Sequence, residues 1–205
     1  LYRDLLALSD HIVVPSLAME RRAKNFLPTT TQISVIEDPW QVCLQEYRVP
    51  KIGSPLRIGW FGNSNNVLFL CENLQKLMSS VSAVSSIEFV VLSNKVALDR
   101  AQVAFQESLS SAIRPWRIEL VCWDDSRQPT QLEQVLGSVH VVWLPSNPES
   151  PVKGGVSHNR LVDSVRSGAI VVASNMQSYQ ELSQVAILGS DFGYIINRLV
   201  PQYKR

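Results

Sequence analysis

Short apolar runs alternate along this chain with stretches in which apolar residues recur every three or four positions. From Leu56 onward the alternation is regular. Leu56-Arg57-Ile58-Gly59-Trp60-Phe61 reads as a strand, and Gly62-Asn63-Ser64-Asn65-Asn66 as the polar turn at its C-terminal end. Residues 67–81 follow as an amphipathic helix, with Leu70, Leu74, Leu77 and Met78 at helical spacing. A second strand, 87–92, exits through Ser93-Asn94-Lys95 into a helix over 96–113. Residues 116–123 alternate into a third strand, 130–136 form a short helix, and 140–144 read as a buried strand. Strands over 169–173 and 185–188 follow, with a helical turn at 179–182 between them, and Ser190-Asp191 caps a terminal helix over 192–200. Elements alternating at this spacing predict an α/β fold: a Rossmann-like, doubly wound parallel sheet.

The chain before Leu56 is less regular. Residues 2–8 read as the tail of a helix, 11–14 as a strand, 17–26 as a basic helix stopped by Pro28, and 33–36 as another strand. A unit this small cannot bury a core alone, so it must lean on the rest of the chain or on another domain. Pro50, Gly53 and Pro55 mark 41–55 as a linker. The expected division is 1–40 as the end, or remnant, of an N-terminal α/β domain, 41–55 as linker, and 56–205 as a C-terminal domain. The chain opens at Leu1 in mid-pattern, which reads as an N-terminal truncation.

The richest stretch for chemistry runs from Pro145 to Ser174. A turn-rich loop opens into a helical pattern over 159–166, and Gly168 stops it where positive φ is needed. Such a loop suits an anion. A helix N-terminus offers free N–H groups and the positive end of its dipole. Gly154 and Gly155 allow close backbone approach. Lys153 and Arg160 add positive charge, His158 could donate to a phosphate, and Asn159 can donate and accept. Asp163, one turn beyond Asn159, could accept sugar hydroxyls. The alternative is an ordinary surface loop with solvated basic residues. In doubly wound sheets ligands bind outside the carboxyl ends of the strands. The turns bearing Gly62, Asn63, Ser64 and Asn65, then Ser93 and Asn94, fall at that edge together with 145–160, and are expected to line the cleft.

Composition narrows the classes. With 45% hydrophobic and 18% charged residues the chain is neither disordered nor membrane-spanning. A net charge of +1 gives no electrostatic case for nucleic acid, and peripheral membrane association stays open. Cys43, Cys71 and Cys122 are widely spaced with no CxxC, so a reducing, cytoplasmic setting is expected and a zinc site is not. There is no GxGxxG, no GxxxxGK[ST] and no GxSxG, which disfavours dehydrogenases, P-loop NTPases and α/β-hydrolases. His11 and His140 read as structural; Trp60, Trp123 and Trp143 read as packing. Asp124-Asp125 is either a metal-ligand pair or a solvated turn.

The order of these segments resembles the C-terminal half of GT-B-fold glycosyltransferases, in the retaining superfamily that includes sucrose and glycogen synthase relatives. Residues 9–16 (SDHIVVPS) are similar to the strand near the end of that family's N-terminal domain, and 33–39 (ISVIEDP) to the segment before its linker. Residues 56–62 (LRIGWFG) resemble its first C-terminal strand and glycine turn, 163–174 (DSVRSGAIVVAS) its E-A-M-A-x-G-x-P-V-V segment, and Tyr179-Gln180-Glu181-Leu182 the motif after it. The resemblance implies sugar transfer from a nucleotide-diphosphate donor to an acceptor, with Asp163 at the donor ribose and no necessary metal or other cofactor. Two features depart from the family. Gly155 stands where the first of two glutamates would be. Asn63 and an apolar helix replace the Arg and Lys that hold the diphosphate, a charge that Lys153, Asn159 and Arg160 could supply from another loop. A non-catalytic nucleotide-sugar or glycan-binding module, and a GT-B-type sugar-nucleotide epimerase, remain as alternatives.

Overall fold

The structure, a computed structural model, describes residues 6, 8–48, 50–51, 54–127, 129–150 and 156–202. Six strands form one parallel sheet: β3 (Leu56–Phe61), β4 (Ile87–Ser93), β5 (Trp116–Cys122), β6 (Val141–Leu144), β7 (Ile170–Ala173) and β8 (Ile187–Leu188). Their order is β5-β4-β3-β6-β7-β8. The direction of progress reverses between β3 and β6, so that pair is the topological switch point.

The inner strands β3, β4, β6 and β7 are largely apolar on both sides because both faces are covered. Ile58 and Trp60 of β3, Phe89 and Val91 of β4, and Trp143 of β6 belong to one buried cluster. That cluster includes Leu70, Leu74 and Leu77 of α2 (Val67–Ser80), Phe105 of α3 (Lys95–Ser108) and Ile196 of α6 (Phe192–Gln202). The alternate residues Phe61, Val90, Leu92, Val142 and Leu144 belong to a second cluster. There they join Leu132 and Leu136 of α4 (Thr130–Leu136) and Leu161 of α5 (Asn159–Arg166). Trp60 and Trp143 are fully buried, and Trp143 meets Phe192 edge-on with ring centroids 5.2 Å apart. Burying a side chain of this size contributes about 1.5–3 kcal/mol.

Two close approaches fix the outer helices. A Cβ at Gly193 would fall 1.8 Å from Ser80 Oγ, so α6 can cross α2 only where a side chain is missing. Asn197 then accepts from the N–H groups of Ser82 and Ala83 and donates to the Ser80 carbonyl, closing the end of α2.

Two elements are shorter than their patterns predict. The helix expected to reach residue 113 stops at Ser108, whose hydroxyl bonds back to the Ala104 carbonyl, and a 3-10 turn covers Leu109–Ser111. The final strand is only Ile187–Leu188, because β7 offers it just two partners, Val172 and Ala173. The terminal helix runs to Gln202 rather than residue 200.

The N-terminal segment forms a separate two-stranded parallel sheet, β1 (His11–Val14) with β2 (Gln32–Val35), joined by α1 (Leu17–Lys24). Ser16 caps α1, its hydroxyl accepting from Met19 N–H. This unit leans on the large sheet through Glu181, whose carboxylate accepts from the N–H of Ala18 at 2.8 Å and of Leu17 at 3.3 Å. An acidic side chain at a helix N-terminus is favoured by the helix dipole as well as by the hydrogen bonds.

The segment 41–48, expected as part of a linker, is stitched across α5. Gln41 and Val42 N–H donate to Asp163, Arg166 Nε donates to the Val42 carbonyl, and Gln45 N–H donates to the Arg166 carbonyl. Arg48 N–H reaches the Gly168 carbonyl, and its guanidinium bonds the carbonyls of Leu136 and Ser167. Gly168 is at φ 76, and a Cβ there would lie 2.1 Å from the Glu46 carbonyl oxygen. The glycine that ends α5 therefore also admits the linker.

Candidate functional site

The C-terminal edge of the sheet at the switch point carries most of the residues singled out above. Gly62 and Asn63 leave β3, and Asn63 Oδ1 accepts from the N–H groups of Asn65 and Asn66, a local turn that starts α2. Ser64 and Asn65 belong to that turn. Ser93 is buried, and its hydroxyl donates to the Gly62 carbonyl, so it joins two strand ends rather than facing the cleft. Asn94 caps α3 by accepting from Ala97 N–H at 3.0 Å. Gly62, Asn63 and Asn94 line one pocket of about 250 Å³ together with the rings of Phe61 and Trp123. Trp123 thus differs from Trp60 and Trp143: it is half-buried and borders open space.

From the other side of the switch point α5 presents its first turn. Arg160 reaches across to β3. Its guanidinium donates to the Phe61 carbonyl and lies over the rings of Trp60, at 5.4 Å, and Phe61, at 5.3 Å. Its Nε–H is buried without an acceptor. Among the described residues no carboxylate pairs with it, and burial holds its pKa below the usual arginine value. Tyr179, also buried, stands near enough to interact with the charge. The result is an uncompensated cation at the end of β3, the position where the sequence lacks one of its own.

The remaining expected ligands have other partners. Asn159 donates from Nδ2 to Asp38 at 2.9 Å and accepts from Ser157 Oγ. His158, expected as a phosphate donor, is 3% exposed with its Nδ1 buried and without a partner, so it is packed beneath the surface. Asp163, expected at a ribose, is 4% exposed and instead holds the linker, Oδ1 accepting from Gln41 N–H at 2.7 Å and Val42 N–H at 3.2 Å. Burial raises its pKa, and the two backbone donors pull it down by less. Lys153, Gly154 and Gly155 lie outside the described residues.

His11 and His140 have structural partners: His11 Nε2 bonds Ser34 Oγ across β1 and β2, and His140 Nδ1 accepts from Arg57 N–H. Asp124 turns on itself, its carboxylate accepting from Ser126 N–H and Oγ, which lowers its pKa. Among the described residues no three His, Cys, Asp or Glu side chains converge as a metal-ligand set. Among them also no helix is long and apolar enough to cross a membrane.

No family model and no curated protein matches the sequence. Solved structures match it in shape. The apo form of the lipopolysaccharide outer core galactosyltransferase WaaB aligns with a TM-score of 0.65 over 96% of this chain, at 14% identity. TarM aligns with a TM-score of 0.67 over 99% of the chain, at 10% identity. The fold is GT-B. The chain spans 54% of the WaaB structure and 39% of TarM, so it is similar to part of each. Within GT-B the six-stranded sheet corresponds to one Rossmann-like domain, and the edge carrying Arg160 is the edge where such sheets take ligands.

Proposed function

We propose that this chain supplies the donor side of a glycosyl transfer, binding a nucleotide-diphosphate sugar at the C-terminal edge of its sheet. The observation that carries the reading is Arg160. A partly buried cation with no carboxylate partner and an unsatisfied Nε–H is costly, and a ligand anion would complete it. The diphosphate would lie between the first turn of α5, at the positive end of the helix dipole, and the Arg160 guanidinium. The pocket bounded by Phe61 and Trp123 adjoins that guanidinium through Phe61 and offers ring faces with two amide side chains, Asn63 and Asn94, which suits a nucleoside. In a transfer reaction the cation and the helix N-terminus stabilise negative charge that grows on the leaving diphosphate. The acceptor would be a glycan, lipid or protein hydroxyl. In this reading Asp163 works through the linker rather than on the donor.

The test is binding of a panel of nucleoside diphosphates and their sugars, followed by calorimetry, with Arg160→Met as the variant. Methionine keeps much of the apolar stem and removes the charge. A charge-assisted hydrogen bond of about 1.5–3 kcal/mol predicts a roughly 10- to 150-fold weaker Kd. Wild-type affinity in Arg160→Met would sink the assignment. A second reading, a binding module without turnover, is favoured by Gly155 in place of a carboxylate and by the engagement of Asp163 with the linker. Sugar release from a bound donor separates the two.

A further inference from the structure

The opposite edge of the sheet carries a second concentration of positive charge. A pocket of about 380 Å³ opens there, bounded by Arg48 and Lys51 of the linker, Arg57 at the start of β3, Glu88 of β4 and His140 before β6. The charges do not balance. Arg57 is bracketed by Glu88 at 2.8 Å and Glu119 at 2.9 Å, which consumes both carboxylates. Arg48 bonds only carbonyl oxygens through its guanidinium, and Lys51 has no carboxylate partner among the described residues.

Hydrogen-bond donors are in surplus as well. The Nε–H groups of Arg48 and Arg57 are both buried without acceptors. His140 Nδ1 accepts from Arg57 N–H, so the neutral imidazole carries its proton on Nε2. Burial and the nearby Arg57 and Arg48 keep that ring neutral. An imidazole N–H, a lysine ammonium and a guanidinium therefore border one cavity that contains a single, already occupied, carboxylate.

We propose that this pocket binds a small oxyanion of the phosphate class, held by Arg48, Lys51 and His140 Nε2–H. Such an anion would supply the missing acceptor and counter-charge. Because Arg48 and Lys51 belong to the linker while Arg57 and His140 belong to the sheet, the anion would also tie the two together. The site lies a full strand length from Arg160, so it is independent of the donor reading.

The experiment titrates the full chain with inorganic phosphate and, in parallel, a hexose phosphate. The readouts are the unfolding midpoint and the rate of tryptic cleavage after Arg48. The expected result is a saturable rise of roughly 5–10 °C at a hundredfold excess over Kd, with slower cleavage after Arg48. Lys51→Glu, at an exposed position, should abolish both effects, while Arg160→Met should keep them. The tighter of the two ligands identifies whether the anion is free or sugar-borne. No phosphate-dependent shift in the wild type would overturn the proposal. So would a shift that survives Lys51→Glu, and so would one lost only in Arg160→Met, which would assign phosphate to the other edge.

Discussion

Replacing Asp163 by Ala tests whether 41–48 is a built part of the domain or a loose connection. The substitution removes one carboxylate and orphans two backbone N–H groups, those of Gln41 and Val42. Val42 is fully buried, so water cannot replace its lost partner at no cost. Leaving a buried donor unsatisfied costs about 1–3 kcal/mol, and a hydrogen bond to a charged group contributes about 1.5–3 kcal/mol. Part of that is returned, because Asp163 no longer has to be held charged in a buried site. The net expectation is a loss of roughly 2–4 kcal/mol, or about 4–16 °C in midpoint for a chain of this size. Asp163→Asn keeps an acceptor oxygen without the charge and should lose far less. The sign of the pH dependence also follows. The folded pKa of Asp163 is raised above its unfolded value, so its contribution to stability is fully present below the usual carboxylate range. That contribution is lost as pH rises through the raised value. Acidifying from neutral pH should therefore improve the wild type relative to Asp163→Asn. Urea unfolding of the three proteins from about pH 4, where ordinary carboxylates titrate, up to roughly neutral pH measures all of this. If Asp163→Ala loses less than about 0.5 kcal/mol, a typical surface effect, the clasp contributes nothing and the argument fails.

Gly168→Ala should destabilise by more than the ~1 kcal/mol of a positive-φ residue alone, because its Cβ would also strike the Glu46 carbonyl; thermal unfolding reads it. Cys71, whose thiol pKa is raised by burial, should react with iodoacetamide more slowly than the exposed Cys43 and Cys122, as peptide mass spectrometry would record.

The fold was legible because β3, β4, β6 and β7 are covered on both faces, which writes near-continuous apolar runs into the sequence, and because Asn94 and Gly168 mark helix ends by local chemistry. The site was legible only in part. Periodicity places Arg160 and Asp163 on the first turns of α5, but it does not say where long or charged side chains go. Arg160 crosses to β3 because the rings of Trp60 and Phe61 offer it a surface, a contact about a hundred residues away in sequence that no local pattern encodes. Asp163 turned to the linker for a similar reason. His158 sits beside the loop in sequence yet packs inward, leaving its Nδ1 without a partner.

The stitching of 41–48 also has a mechanical consequence. With that segment bonded along α5, the point about which the β1–α1–β2 unit can pivot is displaced towards residues 36–40, short of the proline-marked stretch. Ties across that pivot include Asn159 to Asp38, and Glu181 to the start of α1, which Arg21 also approaches at 3.8 Å. Each is a hydrogen bond of the order of 1–3 kcal/mol. Asn159 stands in the first turn of α5, so a ligand that recruits its amide would unfasten the pivot, and a swing of the small unit would free the amide for a ligand.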